Sequence, residues 1–121
     1  MMSILRRLSL SIVFLPMLVG CGYFRQPGLT IEFANHSADT MRNLEIDFPG
    51  GSFGVADLPP GGRGSRWIKV TGSGALKADY FDSAGQHRLD AINLARDDSG
   101  VLEIVFQTAG QLSIIDHRQH R

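Results

Sequence analysis

Leu29-Thr30-Ile31-Glu32-Phe33 decides how this chain is read, because apolar side chains recur at every second position with polar ones between them. Successive side chains of an extended strand point to opposite faces, so Leu29, Ile31 and Phe33 face a core while Thr30 and Glu32 face water. Leu44-Glu45-Ile46-Asp47-Phe48 repeats the pattern. Shorter or looser versions follow at Phe53-Gly54-Val55, Arg66-Trp67-Ile68-Lys69-Val70, Leu76-Lys77-Ala78-Asp79-Tyr80 and Arg88 to Leu94. Val101-Leu102-Glu103-Ile104-Val105-Phe106 is apolar on both faces apart from Glu103, which assigns it to the interior of a sheet. Gln111-Leu112-Ser113-Ile114-Ile115 closes the series. No stretch carries a helical stripe.

The segments between these runs are built from turn formers. Asn35-His36-Ser37-Ala38-Asp39, Pro49-Gly50-Gly51, Pro59-Pro60-Gly61-Gly62, Asp82-Ser83-Ala84-Gly85 and Asp97-Asp98-Ser99-Gly100 all fit. Asp and Ser suit the first corner of a type I turn, and Gly accepts the left-handed position after it. Strands joined by turns at roughly ten-residue spacing predict an all-β fold: a small antiparallel β-sandwich of about seven or eight strands, or else a small β-barrel. The pattern resembles immunoglobulin-like and transthyretin-like sandwiches in architecture, and architecture carries no function. Leu58, ahead of Pro59-Pro60, is expected to plug one end of the core.

The bulk numbers are compatible with such a domain. Of 121 residues 43% are hydrophobic and 20% charged, which argues against disorder. Twelve Lys+Arg cancel twelve Asp+Glu, so no net charge recruits nucleic acid. One cysteine rules out an intramolecular disulfide.

That cysteine stands at the end of a distinct N-terminal segment. Arg6-Arg7 is followed by an apolar run from Leu8 to Leu18, interrupted at Pro16 and too short to span a bilayer, which takes about 20 residues. A basic start and a short apolar middle describe an export signal. Leu18-Val19-Gly20-Cys21 then resembles the lipobox of bacterial lipoproteins. The resemblance implies cleavage by signal peptidase II between Gly20 and Cys21, and diacylglyceryl attachment to the Cys21 sulfur. Two or three acyl chains hold a protein stably on a membrane where one does not. Gly22 rather than Asp after the cysteine implies, in a cell with two membranes, delivery to the periplasmic side of the outer membrane.

Four regions result: a signal peptide (1–20), a lipidated N-terminus and tether (21–28), the sandwich (29–116) and a basic tail (117–121). The tether Gly22–Gly28 spans at most about 25 Å fully extended, so the sandwich stays close to the bilayer. Tyr23 and Phe24 suit a headgroup zone, and Arg25 suits anionic lipid there.

The chain offers little for catalysis. Gly51-Ser52-Phe53-Gly54 and Gly72-Ser73-Gly74 lack the spacing of a nucleophile elbow. Gly61-Gly62-Arg63-Gly64 lacks the ending of a phosphate loop and reads as a flexible loop. Asp79-x-x-Asp82 and Asp97-Asp98 have no calcium-loop spacing and read as turn formers. His117-x-x-His120 falls in a tail expected to fray, so no metal or other cofactor is assigned. Asn35-His36-Ser37 matches a glycosylation sequon but reads as a turn.

Trp67 is the ambiguous position. Ile68 and Val70 flank it in strict alternation, so either Trp67 faces outward or a bulge near Gly64 turns it into the core; the core reading is favoured. An exposed Trp67 beside Arg66 and Lys69 would instead form a contact hot spot.

The expected function is therefore that of a non-catalytic, lipid-anchored envelope module, binding a protein or cell-wall partner near the membrane. An alternative comes from Thr71-Gly72-Ser73-Gly74-Ala75, which faintly resembles the Ser-Gly-Ala loop of membrane-bound c-type lysozyme inhibitors. The match covers Ser73, Gly74 and Ala75; Leu76-Lys77 replaces the Arg-Tyr expected next, and the paired cysteines of those proteins are missing.

Overall fold

Eight strands account for most of residues 28–119, the part of the chain that the computed structural model describes. They are β1 (Leu29–Asn35), β2 (Met41–Phe48), β3 (Gly51–Leu58), β4 (Arg63–Ile68), β5 (Gly74–Asp82), β6 (Gly85–Leu94), β7 (Ser99–Phe106) and β8 (Leu112–Gln119). A single 3₁₀ turn, Thr108–Gly110, links the last two. The signal segment, Gly20, Cys21, the tether through Pro27, and His120 and Arg121 lie outside the described residues.

The strands form two four-stranded sheets, ordered β4-β1-β7-β8 and β3-β2-β5-β6. Every apolar run expected from the period-two pattern falls in a strand, although β4 ends at Ile68 and leaves Lys69 and Val70 beyond it. Leu29, Ile31, Phe33, Leu44, Ile46, Leu102, Ile104 and Phe106 meet between the sheets in one core, with Phe48 half-buried at its margin. Leu58 is buried at the end of β3, as expected of a plug. Val101–Phe106 falls in β7, between β1 and β8, the interior position in a sheet expected for it.

Among the described residues the pairings within each sheet leave the two sheets separate, so the fold is a sandwich and not a barrel. In an immunoglobulin sandwich the first two strands share a sheet. Here β1 and β2 lie in opposite sheets, so the arrangement is not the immunoglobulin one.

Three expectations need correction. The sandwich is not wholly antiparallel, because β1 and β7 pair in parallel, from Leu29↔Gly100 to Asn35↔Phe106. Parallel neighbours need a long crossover, and the whole second sheet, together with β4, supplies it between these two strands. The domain does not stop at 116: β8 continues through His117, Arg118 and Gln119, paired in register with Val101, Gly100 and Ser99. Finally, Arg63 and Gly64 belong to β4 rather than to a flexible loop. Gly64 lies opposite Phe33, whose ring occupies the space that a Cβ would need.

Gly100 is the glycine on which the close pairing of β7 with β8 depends most directly. Its φ is +101°, and a Cβ there would stand 2.7 Å from the His117 carbonyl oxygen. Both the backbone conformation and the close approach of β8 exclude a side chain at this point.

A candidate interaction surface on the outer face of the first sheet

Trp67 projects from the outer face of the β4-β1-β7-β8 sheet, with 51% of its surface exposed. Its neighbours Ile68 and Val70 are the buried ones, at 5% and 0%. The favoured core placement of Trp67 is thus overturned. The bulge it required does not form, since β4 runs against β1 in unbroken register from Leu29↔Ile68 to Ala34↔Arg63. Strict alternation then sends residue 67 outward.

The register places Trp67 beside Thr30, Thr30 beside Val101, and Val101 beside His117. The next outward row is Ser65, Glu32, Glu103 and Ile115, the last 44% exposed. Arg63 approaches Glu103 at 3.8 Å. Against Trp67 itself lies Gly28: a methyl group at that position would overlap the indole at Cε2, Cζ2 and Nε1.

The other two residues of the expected hot spot behave differently. Lys69 is exposed just beyond β4, between buried Ile68 and Val70, so alternation sends it to the same face as Trp67. Arg66 is exposed but occupies an inward-facing register position opposite Ile31. Its guanidinium carbon lies 5.4 Å from the centroid of the Phe53 ring. It stacks over the open side of the sandwich between β4 and β3 and does not share a surface with Trp67.

The outer face of the second sheet is charged. Asp47, Lys77 and Asp90 form one cross-strand row, and Glu45, Asp79 and Arg88 the next. All of these but Glu45 border a shallow groove of about 380 Å³. Arg88 pairs with Asp79 at 3.2 Å, and Gln86 donates to the same carboxylate. Asp47, by its charge and by a hydrogen bond, holds the Glu45 carboxyl above its usual range, with smaller contributions from burial and from Asp79. Four carboxylates outnumber the two cations across these rows, so the face is acidic and solvated.

The acidic pairs singled out in the sequence do not converge. Asp79 points to Arg88 on the outer face, while Asp82 points to His87, whose Nε2 is 2.9 Å away. Asp98 accepts from the Ala95 amide at 2.8 Å and from Arg118 at 2.9 Å, closing its turn, and Asp97 takes the left-handed φ of +63°. Among the described residues no group of three His, Cys, Asp or Glu side chains is arranged to hold a metal. Ser73 is exposed in the Lys69–Ser73 connection, whereas Ala75 is already paired with Asn93 in the sheet. Only the first residue of the lysozyme-inhibitor resemblance therefore lies in a loop.

Three arrangements escaped the sequence reading. Asn35 is the one buried polar residue among the described residues, tied by its side chain to the β1–β2 loop and to the end of β3. Arg118 is sequestered between two carboxylates. His87 stacks on Tyr80, ring centroids 5.1 Å apart, and packs under Gly110. Burial opposes ionisation of Asp82, yet the His87 hydrogen bond, the Ala84 and Gly85 amides and the His87 charge together outweigh it and lower the Asp82 pKa. A carboxyl with a lowered folded pKa adds stability above its unfolded value of about 4 and loses it as pH falls through the folded value. The urea midpoint of the wild-type protein is accordingly expected to exceed that of Asp82→Ala by its full margin at pH 6. That margin is expected to shrink below pH 4, and a margin independent of pH would refute the assignment.

The fold has a structural counterpart. A protein from Eubacterium rectale, solved by NMR, superposes with a TM-score of 0.53 over 74% of this chain and 88% of its own, at 13% sequence identity. At that identity the likeness concerns the fold alone. No protein-family model matches the chain, and no curated protein does either.

Proposed function

We propose that this protein is a lipid-anchored module of the cell envelope that binds rather than catalyses. In this reading Cys21 carries the lipid, after cleavage at Gly20, and the outer face of the first sheet around Trp67 makes the contact. In a cell with two membranes the sandwich then stands on the periplasmic side of the outer membrane, facing envelope proteins and the cell wall. The observation that carries the reading is the exposure of Trp67, the most exposed of the three large apolar side chains, with Phe81 and Ile115, that face water among the described residues. A large indole half in water, with Ile115 also exposed one row away, is the kind of anchor that dominates binding energy at protein surfaces. Lys69 extends this surface, and Arg66 is left out of it.

Two variants test the proposal. Cys21→Ser is expected to move the protein from the membrane fraction to the soluble fraction. Trp67→Ser is expected to leave the anchored protein folded, shifting stability by no more than about 1 kcal/mol as exposed positions do. It should nonetheless reduce, at least tenfold, whatever is captured by a photo-crosslinker at Ile115. Unchanged capture by Trp67→Ser would remove the indole from the contact surface.

A further inference from the structure

We propose that the Trp67 surface is applied to the lipid bilayer itself, so that the sandwich rests on the headgroups instead of hanging free from its anchor. This rests on the lipid-anchor reading of Cys21 and names the partner of the surface assigned above. The first argument is where the chain leaves the sandwich. Gly28 is the residue against which the indole packs, so the tether departs from beside Trp67. Cys21 stands seven positions earlier, and that length of chain reaches at most about 25 Å when fully extended. A lipidated Cys21 therefore keeps Trp67 near the membrane whatever else the envelope contains.

The second argument is chemical. Tryptophan, with an apolar ring and one N–H donor, concentrates at the membrane–water interface. The row it heads, through Thr30 and Val101 to His117, contains no carboxylate, and the cation Lys69 lies beside it. The nearest carboxylates on this face, Glu32 and Glu103, belong to the next outward row, about 7 Å farther along the strands. Phosphate headgroups thus meet no anion in the Trp67 row. The opposite outer face, with Glu45, Asp47, Asp79 and Asp90, would meet several.

Trp67 is the only tryptophan in the chain, so its emission reports this surface alone. The test uses the full lipidated protein in vesicles of phosphatidylethanolamine and phosphatidylglycerol. The expected result is at least a twofold loss of emission when the lipids are brominated near the top of the acyl chains, with weak quenching by aqueous iodide. Trp67→Phe combined with Phe81→Trp moves the indole to the opposite outer face on the same anchor. That variant is expected to show the reverse: strong quenching by iodide and little by brominated lipid. If the two proteins respond alike, or if Trp67 stays open to iodide, the bilayer contact is overturned. A protein partner crosslinked at Ile115 in the absence of lipid quenching would overturn it too, while leaving the contact surface itself intact. An unmodified Cys21 thiol with Met1 retained would overturn both readings.

Discussion

Replacing Asn35 by aspartate is expected to lower the unfolding free energy by about 4 kcal/mol at neutral pH, the sum of two stranded carbonyls and one buried charge. Asn35 is 0% exposed, and every part of its amide is used. Nδ2 donates to the Asp39 carbonyl at 2.8 Å and to the Leu58 carbonyl at 2.9 Å. Oδ1 accepts from the Ser37 amide at 2.9 Å and from its hydroxyl at 2.6 Å. The backbone of the same residue exchanges hydrogen bonds with the Gly61–Gly62 turn. One side chain thus ties the end of β1 to the β1–β2 loop and to the end of β3.

Aspartate keeps the acceptor but aims a second oxygen at two carbonyl oxygens. Its carboxyl would favour the protonated, donating form, so its folded pKa would lie above the unfolded value of about 4. A group raised in this way is least harmful below its unfolded pKa, so the deficit is expected to shrink as pH falls from 7 to 4. Urea unfolding followed at several pH values checks both size and sign. A deficit below about 1 kcal/mol, or one that grows on acidification, would mean that the amide is not the tie described. The same geometry bears on the sequon, because both hydrogens of Nδ2 are engaged in the folded protein and none is free for a glycan.

Arg118→Leu is expected to cost about 3 kcal/mol, near the lower end for breaking a buried ion pair because the site is not fully enclosed. The arginine side chain is 11% exposed. Its Nε and Nη2 grip Asp116 at 2.9 and 2.8 Å, and Nη1 reaches Asp98 and the Asn93 carbonyl, both at 2.9 Å. The Asp116 hydrogen bonds, opposed by burial and aided by Asp98, hold the guanidinium above its already high range, so it stays charged throughout. Its removal takes the guanidinium away from two carboxylates, which keep only backbone donors such as the Ala95 and Arg118 amides, and unfastens the end of β8 from the Asn93 carbonyl of β6. Arg118→Lys, which keeps the charge but not the forked geometry, is expected to recover less than half of the loss. Amide hydrogen exchange along Ser113–Gln119 should rise first; exchange spread evenly over both sheets would indicate a different origin.

Asn35 and Arg118 illustrate how far the chain could be read in one dimension. Asn35-His36-Ser37 was legible as a turn, because the Asn35–Ser37 bond spans two residues and depends only on local chemistry. The bond to Leu58, 23 residues away, was not. Arg118 reads as part of a frayed basic end because Asp98, 20 positions upstream, comes beside it only once β7 and β8 pair. The Trp67 row was half legible: alternation opposed the indole to Ile68 and Val70, but only the unbroken β1–β4 register decided which side is core.

By itself, then, the order of residues determined the local matters: eight extended runs, the turns between them, which side of most strands is apolar, and a lipobox-like segment ahead of the domain. These depend on side-chain period and turn chemistry within a few positions. The tertiary structure decided the rest: which strands share a sheet, the parallel β1–β7 pair, the burial of Asn35 and Arg118 and the outward indole of Trp67. An alternating pattern looks the same whether a strand pairs parallel or antiparallel, and in either sheet. Those choices are fixed only when distant strands close on one another around a common core.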